Sequence, residues 1–467
     1  MNLKNLVIFN LKIAFAVIGT SVLITHVDAQ VLDEFVFESP PFSRGFGEQM
    51  DISGDWMVVG MPFASRNVGG NTQFCHGRAD FVKRQTDGSW IGMQEVFSPV
   101  TTRNLGVSVS IDENTAVIGS LFEGNEIYVY ALNGDEWTFN SSIQEPGING
   151  SFDFGGTVEL NGDRLAVTNG SIAGNARLHM YERQDGVWAP DGIINEGAAF
   201  SDGFGLRMEM EGDRLIVTYF INNTLSFVHG HIYERMGPAN WQRTADLYLG
   251  GNGGFQFGVG LSGDTAVMVR PNTREAGIFE LQQDGTWEGA QTLTASLDDQ
   301  GQGLSPLYGT GFFAHDSVVL EDDFLAIGEP YADVDGIVDA GAVYIYQRNP
   351  DGVWEEIDIR TGTETNERYG GGLALNNRRL AIGRITILPN DGGCPLYPDD
   401  TNRVDFLTLG AGDLGDVNCD GEVNLLDVAP FVELLSTGGF SEKADINQDG
   451  ALDLLDIEPF VALLSGN

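Results

Sequence analysis

The chain has 467 residues, 42 % of them hydrophobic, with 67 acidic against 25 basic side chains and a formal net charge of −42. A surface this acidic repels nucleic acid and anionic lipid, and the hydrophobic content excludes a disordered chain. Three cysteines are too few for a disulfide scaffold.

The N-terminus places Lys4 and Lys12 ahead of an apolar run, Ile13 to Ile24, followed by Val27-Asp28-Ala29-Gln30. A basic start, a short apolar core and small residues before Gln30 predict a signal peptide over 1–29, cut after Ala29. The run is shorter than the ~20 residues a membrane span needs, so the mature form is expected to be secreted and not membrane-spanning.

From residue 30 to 409 the sequence is periodic. An anchor of the form Phe-Gly, then alternating residues, then a short apolar strand begins at Phe46, Leu105, Phe154, Phe204, Phe257, Ala314 and Tyr369. Each copy continues with an alternating strand, such as Glu126–Tyr130, Arg177–Tyr181 or Gly341–Tyr346. A turn and a tryptophan follow, as in Asp87-Gly-Ser-Trp90, Asp185-Gly-Val-Trp188 and Asp351-Gly-Val-Trp354. Asp-Gly favours a tight hairpin, so each copy reads as about four antiparallel strands. Seven such units predict a mainly β fold, a seven-bladed β-propeller. The seventh copy lacks its own Asp-Gly-Trp and ends at Val404–Leu409. Leu32–Ser39 looks like the strand that follows each tryptophan, so it is expected to complete that blade.

The repeat pattern resembles the bacterial FG-GAP repeats, related to the propeller of integrin α-chains. The resemblance implies a calcium loop after the apolar strand of a blade. Asp333, Asp335 and Asp339 of the sixth copy match that loop in part and form a third candidate calcium site beside the two described below. His229 and His231 alternate on one strand without a visible third ligand. Cys75 and Cys394 fall in corresponding parts of neighbouring blades, where they are either bonded or two free thiols.

After a short linker, 410–415, two twelve-residue loops stand 29 residues apart. The first offers Asp416, Asn418, Asp420, Glu422, Asn424 and Asp427. The second offers Asp445, Asn447, Asp449, Ala451, Asp453 and Asp456. Oxygen ligands at positions 1, 3, 5, 9 and 12, a backbone carbonyl at position 7 (Glu422, Ala451) and Gly421 or Gly450 at position 6 give the spacing of a Ca²⁺ loop. Two Ca²⁺ ions are expected. Each loop runs into an apolar helical segment, Leu425–Leu435 and Leu454–Leu464, with Pro430 and Pro459 in the first turn.

A loop followed by one helix, duplicated, resembles a type I dockerin, the module that docks secreted bacterial proteins onto cohesins. The resemblance covers 416–467. It implies calcium binding and a cohesin-like or other surface partner. Positions 10 and 11, where cellulosomal dockerins carry Ser-Thr, hold Leu425-Leu426 and Leu454-Leu455 here, and neither helix has a Lys or Arg. These four leucines are the candidate partner contacts, with position 11 expected to be the more buried. The combined reading is a secreted, calcium-binding, noncatalytic binding or adhesion protein, its propeller offering a face to a glycan or protein ligand. The alternative is a dockerin-bearing extracellular carbohydrate-active enzyme, a glycoside hydrolase or polysaccharide lyase, or an accessory protein in polysaccharide breakdown.

Overall fold

The computed structural model describes residues 32–38, 45–68, 71–73, 76–85, 88–97, 104–121, 126–146, 154–169, 176–195, 204–219, 228–250, 258–270, 273–297, 317–385, 402–409, 415, 417, 423–437, 444, 446 and 452–464. The expected signal peptide, Cys75, Cys394 and the anchors Phe257 and Ala314 lie outside them.

Seven antiparallel sheets of four strands each make the body. Blade 1 is built from Gln49–Ser53, Trp56–Met61, Arg78–Arg84 and Trp90–Phe97, in that order from first to fourth strand. Blades 2 to 6 repeat the plan along the chain. Blade 1 also carries a small hairpin, Arg66–Val68 paired with Asn71–Gln73. The first strands of all seven blades line a central channel, from Gln49 and Asp51 in blade 1 round to Leu373 and Leu375 in blade 7.

Blade 7 closes the ring with chain from both ends. Leu373–Asn376, Arg379–Arg384 and Arg403–Thr408 supply three strands, and Leu32–Glu38 supplies the outermost. Phe35 pairs with Phe406 and Phe37 with Val404 in register. Both phenylalanines turn inward and pack on the core shared by blades 7 and 1, while Val36 and Glu38 face solvent.

The packing explains the repeat pattern. There are seven buried apolar clusters in the ring, one at each interface between blades. Alternate residues of a second strand serve opposite neighbours: Met57 and Val59 pack towards blade 7, and Val58 packs towards blade 2. The tryptophan after the turn reaches back to the preceding blade. Trp137 stacks on Phe81 with centroids 4.6 Å apart, and Trp90 stacks on Phe406 at 4.3 Å. The recurring glycine near the end of the second strand is needed for close approach. A Cβ on Gly60 would stand 2.1 Å from the Gly106 carbonyl oxygen, and one on Gly383 equally close to that of Gly47.

One layer of the ring is held by side chains that the repeat pattern does not reveal. The residue before each first hairpin turn accepts a backbone N–H from the next blade's turn. Ser53 accepts from Glu113, Asp112 from Gly162, Asn161 from Gly212, Glu211 from Gly263, Ser262 from Asp322, and Glu321 from Asn377. Asn376 then accepts from Gly54 at 2.9 Å and completes the circuit.

The C-terminal module holds a 3₁₀ turn, Leu425–Asp427, and two short helices, α1 (Val428–Thr437) and α2 (Ile457–Leu464). Its core is small. Phe431, Ala444 and Phe460 are buried, with Val417, Leu434, Leu435, Ile446, Leu452 and Leu464 packed round them. The two rings stack at 4.1 Å.

Candidate calcium and docking site

Of the twelve predicted ligands, Asn424, Asp427, Asp453 and Asp456 lie among the described residues. Asp416, Asn418, Asp420, Glu422, Asp445, Asn447, Asp449 and Ala451 do not. The four that are described form two equivalent pairs. Asp427 and Asp456, at position 12 of each loop, are fully buried. The Asn424 N–H donates to Asp427 Oδ2 at 2.8 Å, and the Asp453 N–H donates to Asp456 Oδ2 at 2.9 Å. Each carboxylate is thereby tied to the backbone three residues before it, at the start of its helix. Two fully buried carboxylates in a segment whose only basic residue is Lys443 are costly without a cation to neutralise them. The donor chemistry, all hard oxygen, fits Ca²⁺. Val417 and Ile446 at position 2, and Leu452 at position 8, turn into the shared core, so loop geometry and helix packing are coupled.

The helices divide their apolar residues between two faces. Phe431, Leu434 and Leu435 of α1, with Phe460 and Leu464 of α2, make the core. Leu425 is 79 % exposed and Leu454 76 %. Val428, Val432, Ile457, Val461 and Leu463 are exposed with them. The outward set recurs at matching positions: Leu425 with Leu454, Val428 with Ile457, Val432 with Val461. In the second loop position 11 is the more buried of the two, Leu455 being 66 % exposed against 76 % for Leu454, but it does not enter the core. The side chain of Leu426 lies outside the description. The helical spacing of the apolar residues in Leu425–Leu435 does not tell Val428 and Val432 from the core positions. Val428 and Leu435 stand seven residues apart, nearly on one side of α1, so spacing alone does not part the outward residues from those of the core.

In blade 6, Asp333, Asp335 and Asp339 sit on one turn but do not form a cage. Among the described residues no group of three or more His, Cys, Asp or Glu side chains is placed to hold a metal. Asp333 Oδ1 instead accepts the Asp339 N–H at 2.9 Å, and Val334 and Ile337 bridge across the turn. Burial pushes the Asp339 carboxyl up, Arg368 pulls it down and Asp333 adds to the rise. The turn is thus organised by its own backbone. His231 is buried, with Nε2 3.2 Å from Asp246 and Nδ1 3.3 Å from the Tyr233 hydroxyl, and His229 packs on the Tyr248 ring. These are the contacts of packed strand histidines.

Among the described residues a pocket of about 60 Å³ lies between blades 5 and 6, with apolar walls from Val269, Leu293 and Ile327. At its rim Arg274 grips Glu329 through two nitrogens at 2.6 and 2.7 Å, and Tyr344 donates to the same carboxylate.

Residues 414–459 match the dockerin type I domain family. Such domains bind calcium and cohesin partners and occur in extracellular proteins. Among solved structures the chain is similar to a functionally unknown protein from Desulfotomaculum acetoxidans, with 13 % identity over 72 % of this chain and 99 % of that one, TM-score 0.46. It is also similar to a periplasmic gluconolactonase from Pseudomonas aeruginosa (11 % identity, 68 % and 88 % covered, TM-score 0.42). A hypothetical selenium-binding protein from Sulfolobus tokodaii matches at 11 % identity over 66 % of this chain and 76 % of that chain, TM-score 0.42. Likeness at this level carries no functional argument. No curated protein matches the chain. Among the described residues no helix is long and apolar enough to cross a membrane.

Proposed function

We propose that the protein is a secreted, calcium-dependent binding protein in which residues 416–467 attach an FG-GAP-type propeller, residues 30–409, to a cohesin-bearing partner. Residues 410–415 serve as the linker and 1–29 as the export signal. Two Ca²⁺ ions, one per loop, fix the helices, and the propeller presents the ligand-binding surface. The observation that carries the reading is the outward apolar set, Leu425, Val428 and Val432 with Leu454, Ile457 and Val461, exposed in the intact chain. Contiguous apolar surface on a soluble module marks an interaction site.

The test is binding of calcium-loaded full-length protein to an immobilised cohesin domain. Leu425→Ser with Leu454→Ser should weaken capture at least tenfold while circular dichroism shows the calcium-induced helix intact. Undiminished capture by the double variant would place the docking surface elsewhere. Loss of helix would make these leucines part of the fold.

A further inference from the structure

We infer that the partner meets this module through a surface that is apolar at its centre and basic at its rim, so that docking is electrostatically steered and salt-sensitive; the inference rests on the docking reading above. Residues 413–467 hold twelve Asp and Glu against Lys443 alone. Two calcium ions neutralise four of those eleven net negative charges and leave seven. Neither α1 nor α2 carries a lysine or arginine, and Glu433 and Glu458 stand on them. Asp453, next to Leu454, is exposed. The apolar face therefore lies in a strongly negative field to which neither helix adds a basic side chain.

That field narrows what can cover the face. A second copy brings the same charge to the contact, so pairing of like modules sets seven negative charges against seven. The chain's own propeller is no better: residues 30–409 hold 54 acidic and 22 basic side chains. In the intact chain Leu425, Leu454 and Leu455 remain largely exposed. Like charges brought together across an interface are selected against, and opposite charges accelerate encounter by 10- to 1,000-fold. A basic rim supplies the missing cations, and an apolar centre takes the leucines and valines.

The experiment uses the calcium-loaded full chain and two forms of one cohesin domain. Both have an apolar docking face, with the surrounding residues changed to lysine in one and to glutamate in the other. Surface plasmon resonance at 50 and 500 mM NaCl gives the rates. The lysine-rimmed form should bind at least tenfold tighter at low salt, mainly through association rate. The gap should narrow at high salt, where the screening length falls well below 10 Å. Equal binding by both forms, or preference for the glutamate rim, would overturn the charge inference and leave cohesin docking standing. Binding of neither form would overturn the docking reading itself, and this inference with it. Sedimentation of the loaded chain should show a monomer at both salt concentrations; a calcium-dependent dimer lost on Leu425→Ser with Leu454→Ser would identify a second copy as the occupant and overturn the proposal.

Discussion

Every blade of the propeller leans on two neighbours, whereas the two helices of the C-terminal module lean mainly on each other. An apolar side chain in the ring has a partner surface on either side, so alternate residues of one strand are all buried. Met57, Val58 and Val59 show this, each fully covered although successive side chains point opposite ways. In the module the same density of apolar residues meets too little protein. Phe431 and Phe460 use up the core, and Val432 and Val461 stay more than half exposed. Small domains bury a smaller share of their surface, and on the function proposed above the deficit is met from outside: by an ion for the buried carboxylates and by a partner for the leucines.

The comparison breaks most visibly at the ring closure. Deleting residues 31–39 should remove Phe35 and Phe37 from the interface of blades 7 and 1 and expose the edge of Arg403–Thr408. The expected loss is on the order of 5 kcal/mol or more, read as a large fall in unfolding temperature. Wild-type stability after the deletion would mean the ring does not depend on its clasp.

The module's core offers the next largest effect. Phe431→Ala or Phe460→Ala should cost about 3 kcal/mol and raise the calcium concentration needed for half-maximal helix. The tryptophan fluorescence should not change, because all seven tryptophans lie in the propeller. A shift in that fluorescence would show the two regions to be coupled.

A pH effect of similar size is confined to the ring. His179 is buried against Phe154, and burial, helped by Arg177, lowers its pKa from 6.5 to about 4. The unfolded chain takes up the proton first as pH falls. The stabilisation is therefore complete above pH 6.5 and is lost progressively as pH drops towards 4, by up to roughly 3 kcal/mol. Urea titrations of His179→Phe should lack this share of the acid slope; an unchanged slope would assign it to other groups.

The smallest effect tests the circuit of turns. Ser53→Ala and Asn161→Ala should each cost about 1 kcal/mol, additively, since they serve different pairs of blades. A cost for Asn161→Ala that depends on Ser53 would mean the seven bonds act as one unit.

Much of the propeller was legible because it is written seven times. Phe46, Leu105, Phe154 and Phe204 recur with glycine and a following strand, and recurrence gave each position a role before any contact was known. The closing strand was legible for the same reason, as Leu32–Ser39 matched the one piece blade 7 lacked. The hydrogen-bond circuit was not. Ser53, Asp112, Asn161 and Glu211 share only the capacity to accept, so no residue type repeats. In the module the ligand spacing of the loops could be read directly. The split of each helix into two apolar faces could not, because a periodicity of apolar residues marks a face without saying whether protein or partner covers it. Leu455 is the clearest case: identical in character to a core leucine, yet 66 % exposed.

The most direct test of the two-region account is amide hydrogen exchange on the full-length protein in calcium and in excess chelator. The account predicts that residues 428–437 and 457–464 are protected only with calcium, while the second and third strands of every blade exchange equally slowly in both. Helices that stay protected in chelator would contradict it.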